Sequence, residues 1–465
     1  MAMEKVIIIG AGPAGLSAAY ELLKKGEYDV TVIEASEYIG GLARNAEFEG
    51  NIIDLGGHRF YTNIERVRSL WNEIMSDRKE DWLLRPRHSR IYYAGGFIDY
   101  PVSLSKDTIL AVGVRNAIGI AASYCASLIS PRNEENLENL YINQFGKKLY
   151  QMFFKGYTIK ACGADPKIIS AAWGRKRVRK LSVRKIARNG LTGRPPDEPF
   201  PDTEEFQYPR FGPGEMWQGL ADTITSMGGR IILSTRAEKI LMENGKIESL
   251  LCSQKDQKVR FRADWYISSM SLRDLGTAIP SIPDRTAESM ASLPYRSFIT
   301  FAVQIPRTEF LWGSDIKDTW IYVQQKGVKM GRIQIYSSWS PDMVADSESI
   351  LIGAEYFCFE NDAFWNMSED ESFCFVREEL VKLGIVRRPK DIIRMHREKL
   401  KNAYPGYYGS FSDLAEIRAY LRSVDNLICI GRNGLHEYLN MDEAMLSGMK
   451  AADFIASSKK TAKET

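Results

Sequence analysis

The apolar and polar positions change period several times along this chain, and each change predicts an element. Val6, Ile7, Ile8 and Ile9 form a short apolar run, the signature of a buried strand. Gly10 ends it, and residues 16–23 then read as a helix. A second run, Val30, Thr31, Val32 and Ile33, ends at Glu34. Between residues 105 and 188 the helical period dominates, with helices predicted over 134–145 and 147–155. Residues 190–206 are rich in Pro, Gly and acidic side chains and predict a loop or lid. Strand signals return at 231–233 and around Asn244-Gly245, a hairpin turn pair. Further strands are predicted over 297–305, 319–324, 332–337 and 349–357, and their alternation suggests an antiparallel sheet. Residues 426–431 read as a strand closing on Gly431, and residues 441–454 as a helix.

This order predicts an α/β fold with α+β parts. The late strand–helix unit completes the one begun at the N-terminus. A discontinuous, Rossmann-like nucleotide-binding domain is therefore expected from residues 1–104, 205–275 and 391–465. Residues 105–204 make a helical domain with the Pro-rich loop, and 276–390 an antiparallel sheet that serves as substrate platform.

Composition narrows the function classes. With 465 residues and a net charge of +3, nothing points to nucleic acid or a membrane surface as partner. Six scattered cysteines without a CxxC pair suit reduced thiols in a cytoplasm, and four histidines make no metal centre. No secretory leader pattern is legible ahead of the first strand. The apolar stretch 108–130 contains Arg115, Asn116 and Tyr124, so a buried or interface helix is expected there rather than a membrane span. An interface role would make the protein a homo-oligomer.

The candidate chemistry begins where the first strand ends. Gly10, Gly12 and Gly15 follow strand one and open a helix, strand two follows, and Glu34 stands at its end. That order is the dinucleotide fingerprint in full context. Gly10 serves the tight turn, Gly12 the approach of a pyrophosphate and Gly15 close helix–strand packing, while Glu34 accepts from a ribose hydroxyl. Gly40, Gly41, Leu42 and Arg44 then bring the backbone near a second part of the ligand, a contact that a flavin needs and a nicotinamide does not. The expected cofactor is non-covalent FAD. No second glycine triad follows a strand, so electrons for it would come from external NAD(P)H or another reductant.

Several further segments carry a resemblance. Asp54, Leu55, Gly56, Gly57 and His58 form a glycine–glycine–histidine loop, and residues 153–160 read Phe-Phe-Lys-Gly-Tyr-Thr-Ile-Lys. Trp173 precedes Arg177. Phe206 to Trp217 contains Pro209, Gly212 and Gly214. Trp320, Ile321 and Tyr322 precede Arg332, Tyr404 precedes Pro405, and Gly431 leads to Tyr438, Leu439, Asn440, Met441 and Asp442. In this order the motifs resemble the UDP-galactopyranose mutase family, within the wider amine oxidase and protoporphyrinogen oxidase-like flavoproteins. The resemblance implies that Gly57, Gly431 and Met441 join the FAD site. It implies a substrate site of Phe153, Phe154 and Tyr157 for the base, and of Tyr322, Tyr404, Tyr438 and Asn440 around the rest of a nucleotide sugar. Arg177 and Arg332 would hold the diphosphate, and His58 would lie over the flavin.

The residue types fit that chemistry. Arginine is a planar, permanently charged fork for phosphate, and tyrosine donates without adding charge. The implied reaction interconverts pyranose and furanose forms of a UDP-galactose-like sugar through an adduct between the reduced flavin N5 and the sugar, with no net redox change. One departure stands out: the family has a tryptophan near the sugar where this chain has Cys162. That opens volume and points to a bulkier or differently substituted sugar. Two alternatives remain at this level: an FAD-dependent oxidase of an amine, porphyrinogen or polyene, and a non-catalytic flavin-binding protein.

Overall fold

A computed structural model describes residues 3–100, 113–178, 205–255 and 257–464. Five parallel strands form the nucleotide-binding sheet, in the order Leu427–Cys429, Trp265–Ser268, Glu4–Ile9, Tyr28–Ile33 and Arg230–Ile232. The helix Pro13–Lys24 starts directly after Gly12, with Pro13 at the position where a missing N–H costs nothing. The C-terminal helix Met441–Glu464 packs along it, at Gly448, where a Cβ would stand 2.0 Å from the Ala14 carbonyl oxygen. The late strand Leu427–Cys429 thus lies in the same sheet as the first strand, and the late helix lies against the first helix.

The second sheet has seven strands: Arg394–Pro405, Tyr295–Pro306, Ser349–Cys358, Arg332–Ile335, Trp320–Val323, Ser89–Tyr93 and Gly96–Asp99. It differs from the expected antiparallel platform in three ways. The pair Trp320–Val323 and Ser89–Tyr93 is parallel, so the sheet is mixed. Its outer strands come from residues assigned by sequence to the nucleotide-binding domain, so the boundaries at 104, 276 and 390 do not follow it. Its central strands do not alternate between core and solvent: Ser349–Cys358 is buried throughout, and Tyr295–Pro306 up to its last residue. One face packs on helix Glu369–Lys382 through Val376 and Leu380, and the other on the nucleotide-binding half through Phe298, Leu351 and Trp339. The strand predicted over 332–337 stops at Ile335, where Tyr336–Trp339 turns into a short helix.

The helical part runs from Val114–Ile129 through Leu137–Phe145, capped by the Asn136 side chain, into a continuous stretch from Lys147 to Cys162. Within it Tyr150–Phe154 is wound as a π-helix. Lys160 donates to the Val323 and Met330 carbonyls at 3.0 and 2.8 Å, tying this stretch to the large sheet, and its burial lowers the ammonium to about 8. Helix Val114–Ile129 is not buried: Val114, Ile118, Leu128 and Ile129 are exposed. Among the described residues no helix is long and apolar enough to cross a membrane. The Pro-rich segment 190–201 lies outside the described residues.

Candidate active site

The glycine turn is shaped by contacts no side chain would allow. At Gly10, with φ +106°, a Cβ would meet the Ser269 hydroxyl at 2.1 Å, and at Gly15 it would meet the Gly10 carbonyl oxygen at 1.9 Å. Gly12 is different. Among the described residues only the Gly41 Cα, 3.8 Å away, lies near its missing Cβ, and no side chain caps the helix that starts there. Unclaimed N–H groups and open space at a helix N-terminus are what a pyrophosphate requires. Glu34 accepts from the Ala11 N–H at 2.9 Å and from the Ser36 N–H at 2.8 Å, which fixes its carboxylate beside the turn. The residues present fit FAD. Leu42 lies in the short helix Gly41–Ala43, and Arg44 beyond it pairs with Glu398 at 3.1 Å.

The loop after strand Asn51–Asp54 is held from below. Buried Asp54 bonds the His58 ring at 2.6 Å, the His58 N–H at 2.7 Å and the Tyr208 hydroxyl at 3.0 Å. Gly57, at φ +67°, passes over Trp339 and the Gln334 amide, where a Cβ would sit 3.1 and 3.2 Å away. From the other side, Gly431 faces Ala14, 3.1 Å from where a Cβ on Gly431 would stand, and Met441 begins the C-terminal helix.

Beside this cradle lies a partly open cleft, lined largely by aromatic and small side chains. Arg332 is its central cation. It is 7 % exposed, donates to the Tyr404 hydroxyl at 3.0 Å and pairs with Glu355 directly opposite on the neighbouring strand. Gln334 donates to the other Glu355 oxygen at 2.6 Å. The guanidinium also lies over the Trp320 and Phe357 rings, at 4.4 and 4.8 Å. Burial opposes its charge, but Glu355 and the surrounding tyrosines outweigh that and hold it well above its ordinary value. Burial raises Glu355 against the pull of Arg332. Burial likewise raises Tyr157 and Tyr404, so both remain hydroxyl donors. Tyr404 stacks on Tyr438 at 5.8 Å, and Arg432 lies over both rings.

Of the sequence-predicted substrate residues, Tyr157, Tyr404 and Tyr438 line the cleft together with Arg332. Tyr322 stands behind Tyr157, with ring centroids 5.5 Å apart. Phe153 and Phe154 do not line it. Phe153 is 2 % exposed and packs on Ile91, Ile98 and Tyr93, while Phe154 stacks on Phe145 at 4.4 Å. The resemblance implied a base contact for both, but each lies in the π-turn Tyr150–Phe154, whose wider winding turns its residues off the α-helical face. Asn440 is exposed at the start of the last helix, its N–H held by Glu443. Arg177 falls in helix Ala171–Val178, and its side chain lies outside the described residues.

Sequence reasoning missed Glu355, Arg296, Tyr407 and Tyr408, all at or beside the cleft. A signal for the first two existed: each is a lone charge in an otherwise apolar strand, where an unpaired charge is too costly to bury.

Comparison with known proteins bears on the family and the fold. A family model described as flavin containing amine oxidoreductase matches residues 13–456. A "Probable UDP-galactopyranose mutase" of Klebsiella pneumoniae is 26% identical over 178 residues, 36% of this chain and 44% of that one. An L-amino-acid oxidase of Crotalus adamanteus is 35% identical over 115 residues, 22% of each chain. These matches therefore span less than half of either relative. The crystal structure of a reduced UDP-galactopyranose mutase superposes with a TM-score of 0.83 at 18% identity, covering 98% of this chain and 94% of that one. A putrescine oxidase follows the same fold with a TM-score of 0.63 at 15% identity, covering 98% and 99%.

Proposed function

The chain belongs to the flavin containing amine oxidoreductase family, and from this we propose that it is an FAD-dependent nucleotide-sugar mutase. Its reaction would interconvert pyranose and furanose forms of a UDP-galactose-like substrate without net redox change. The observation that carries this reading is Arg332, a buried cation that bonds the Tyr404 hydroxyl in a cleft it shares with Tyr157 and Tyr438. An oxidase of a simple amine, which carries no anionic group, has no use for such a donor set.

Reduced FAD supplies the nucleophile in this chemistry, so no side chain has to attack the sugar. Arg332 faces the charge that develops on a departing diphosphate, and Tyr404 and Tyr438 add hydroxyl donors. Glu355 and Gln334 hold the guanidinium in place before the substrate arrives, which removes the reorganisation cost. Asp54 fixes the His58 loop over the cofactor side. Arg177 would supply a second cation.

The test is to incubate the dithionite-reduced holoprotein with UDP-galactopyranose and to follow the furanose form by chromatography. Conversion is expected only with reduced flavin. A second reading, an FAD-dependent oxidase, is favoured by the aromatic lining of the cleft and by the likeness to L-amino-acid oxidase. Bleaching of the oxidised flavin by an amine substrate, with oxygen consumption, would establish it instead.

A further inference from the structure

Arg296 forms part of the cleft wall, apart from the Arg332 group. It sits near the start of strand Tyr295–Pro306, 7 % exposed, between the Phe359 ring at 4.1 Å and Gly163, where a Cβ would stand 2.9 Å from its guanidinium carbon. One nitrogen, Nη2, is used: it donates to the Phe357 carbonyl at 2.9 Å and, more weakly, to the Lys160 carbonyl at 3.4 Å. The other two, Nε and Nη1, are buried and have no hydrogen-bond partner among the described residues. Asp362 stands 3.6 Å from Nη1, close enough to attract but too far to bond, and it already accepts from the Phe359 N–H at 2.8 Å.

Tethering a helix end to a strand needs only the nitrogen that is bonded. A buried guanidinium with two unmet nitrogens is costly, and an arriving anion removes that cost. The surroundings can receive one. Cys162, Ala161 and Gly406 make this part of the wall from small residues. The Tyr408 hydroxyl spends its proton on the Cys162 carbonyl at a long 3.4 Å, and burial pushes it up to about 12, so it stays a donor. The corner is thus rich in donors and holds a cation, whereas Arg332, Tyr404 and Tyr438 already form a separate donor group in the same cleft.

We propose that Arg296, with Tyr408, reads a second anionic group on the substrate, a carboxylate on its sugar, so that the preferred ligand is the nucleotide diphosphate of an acidic sugar. This rests on the reading of the cleft as a nucleotide-sugar site. A carboxylate gains charge-assisted bonds from guanidinium that a hydroxymethyl group cannot match.

The test uses the FAD-loaded full-length protein and three probes: UDP, UDP-glucose and UDP-glucuronate, with binding followed by flavin absorbance or calorimetry. UDP-glucuronate is expected to bind at least tenfold tighter than UDP-glucose. Arg296→Gln should remove that preference while UDP keeps its affinity, and Cys162→Trp should weaken both sugars by filling the corner. Equal binding of the two sugars, with UDP still bound, overturns the proposal and leaves the nucleotide-sugar reading standing. A parallel loss of all three ligands in Arg296→Gln assigns Arg296 to the diphosphate and likewise overturns it. If UDP does not bind the wild-type protein at all, both readings fall. The wild-type comparison decides the matter even if the Arg296 variant does not fold.

Discussion

Asp54 grips His58 twice, its two carboxylate oxygens taking the imidazole at 2.6 Å and the backbone N–H at 2.7 Å. The second oxygen also accepts from Tyr208 at 3.0 Å. Asp54→Asn replaces an acceptor by an amide donor at a fully buried position. Stability is expected to fall by about 2–4 kcal/mol, in the range for breaking a buried charged network. FAD should also dissociate more readily. Thermal unfolding and flavin release on dilution check both.

Arg332→Ala should keep FAD bound, because no cradle glycine touches it, and lower turnover about a thousandfold, the upper range for losing one transition-state donor. It also strands Glu355, which is fully buried, so some loss of stability accompanies it. Retained flavin absorbance with furanose formation slowed to that extent is the expected pair of results. Full activity would remove Arg332 from the reaction.

Gly12 and Gly15 separate cofactor binding from folding. Gly12→Ala puts its Cβ 3.8 Å from the Gly41 Cα, an ordinary contact, and Gly12 has an ordinary φ of −82°. The apoprotein should fold with an unchanged melting temperature and fail to retain FAD. Gly15→Ala collides with the Gly10 carbonyl oxygen and should not fold well in either form. Melting curves with and without added FAD distinguish the two.

His436 predicts an acid sensitivity. It is fully buried, donates to the Gly406 carbonyl at 3.1 Å and packs edge-on against Tyr295, and burial lowers its pKa from 6.5 to about 4. The unfolded chain takes up a proton below about 6.5 that the folded one refuses until about 4, so stability is full above the first value and is lost as pH falls towards the second. The loss is about 3 kcal/mol at one pK unit per 1.36 kcal/mol. His436→Gln should flatten the melting temperature between pH 7 and 4.5 relative to wild type.

What could be read from the sequence was local. Gly10, Gly12, Gly15 and Glu34 announce their geometry because each answers a constraint within one strand–turn–helix. Asn244-Gly245 does the same for its hairpin, with φ of 49° and 79°. The rest depends on partners far away in the chain. Arg332 faces Glu355 only because their strands are neighbours, and nothing in either segment names the other. The alternation predicted for the large sheet fails because both its faces are covered, which periodicity within one strand does not report. Phe153 and Tyr157 sit one helical turn apart, yet a single π-turn sends one to the core and leaves the other on the cleft.

Strand Leu427–Cys429, Gly431 and the helix Met441–Glu464 close the nucleotide-binding half at the far end of the chain from Gly10. The consequence is one of timing during synthesis. A ribosome delivers the glycine turn first and this wall only after the large sheet and the helical part have been made. The nascent chain must carry an open, half-built flavin pocket until the strand Leu427–Cys429 and the helix after it emerge. Cofactor capture then waits on that late segment, and a chain cut before Leu427 keeps the fingerprint but has no place to hold the flavin.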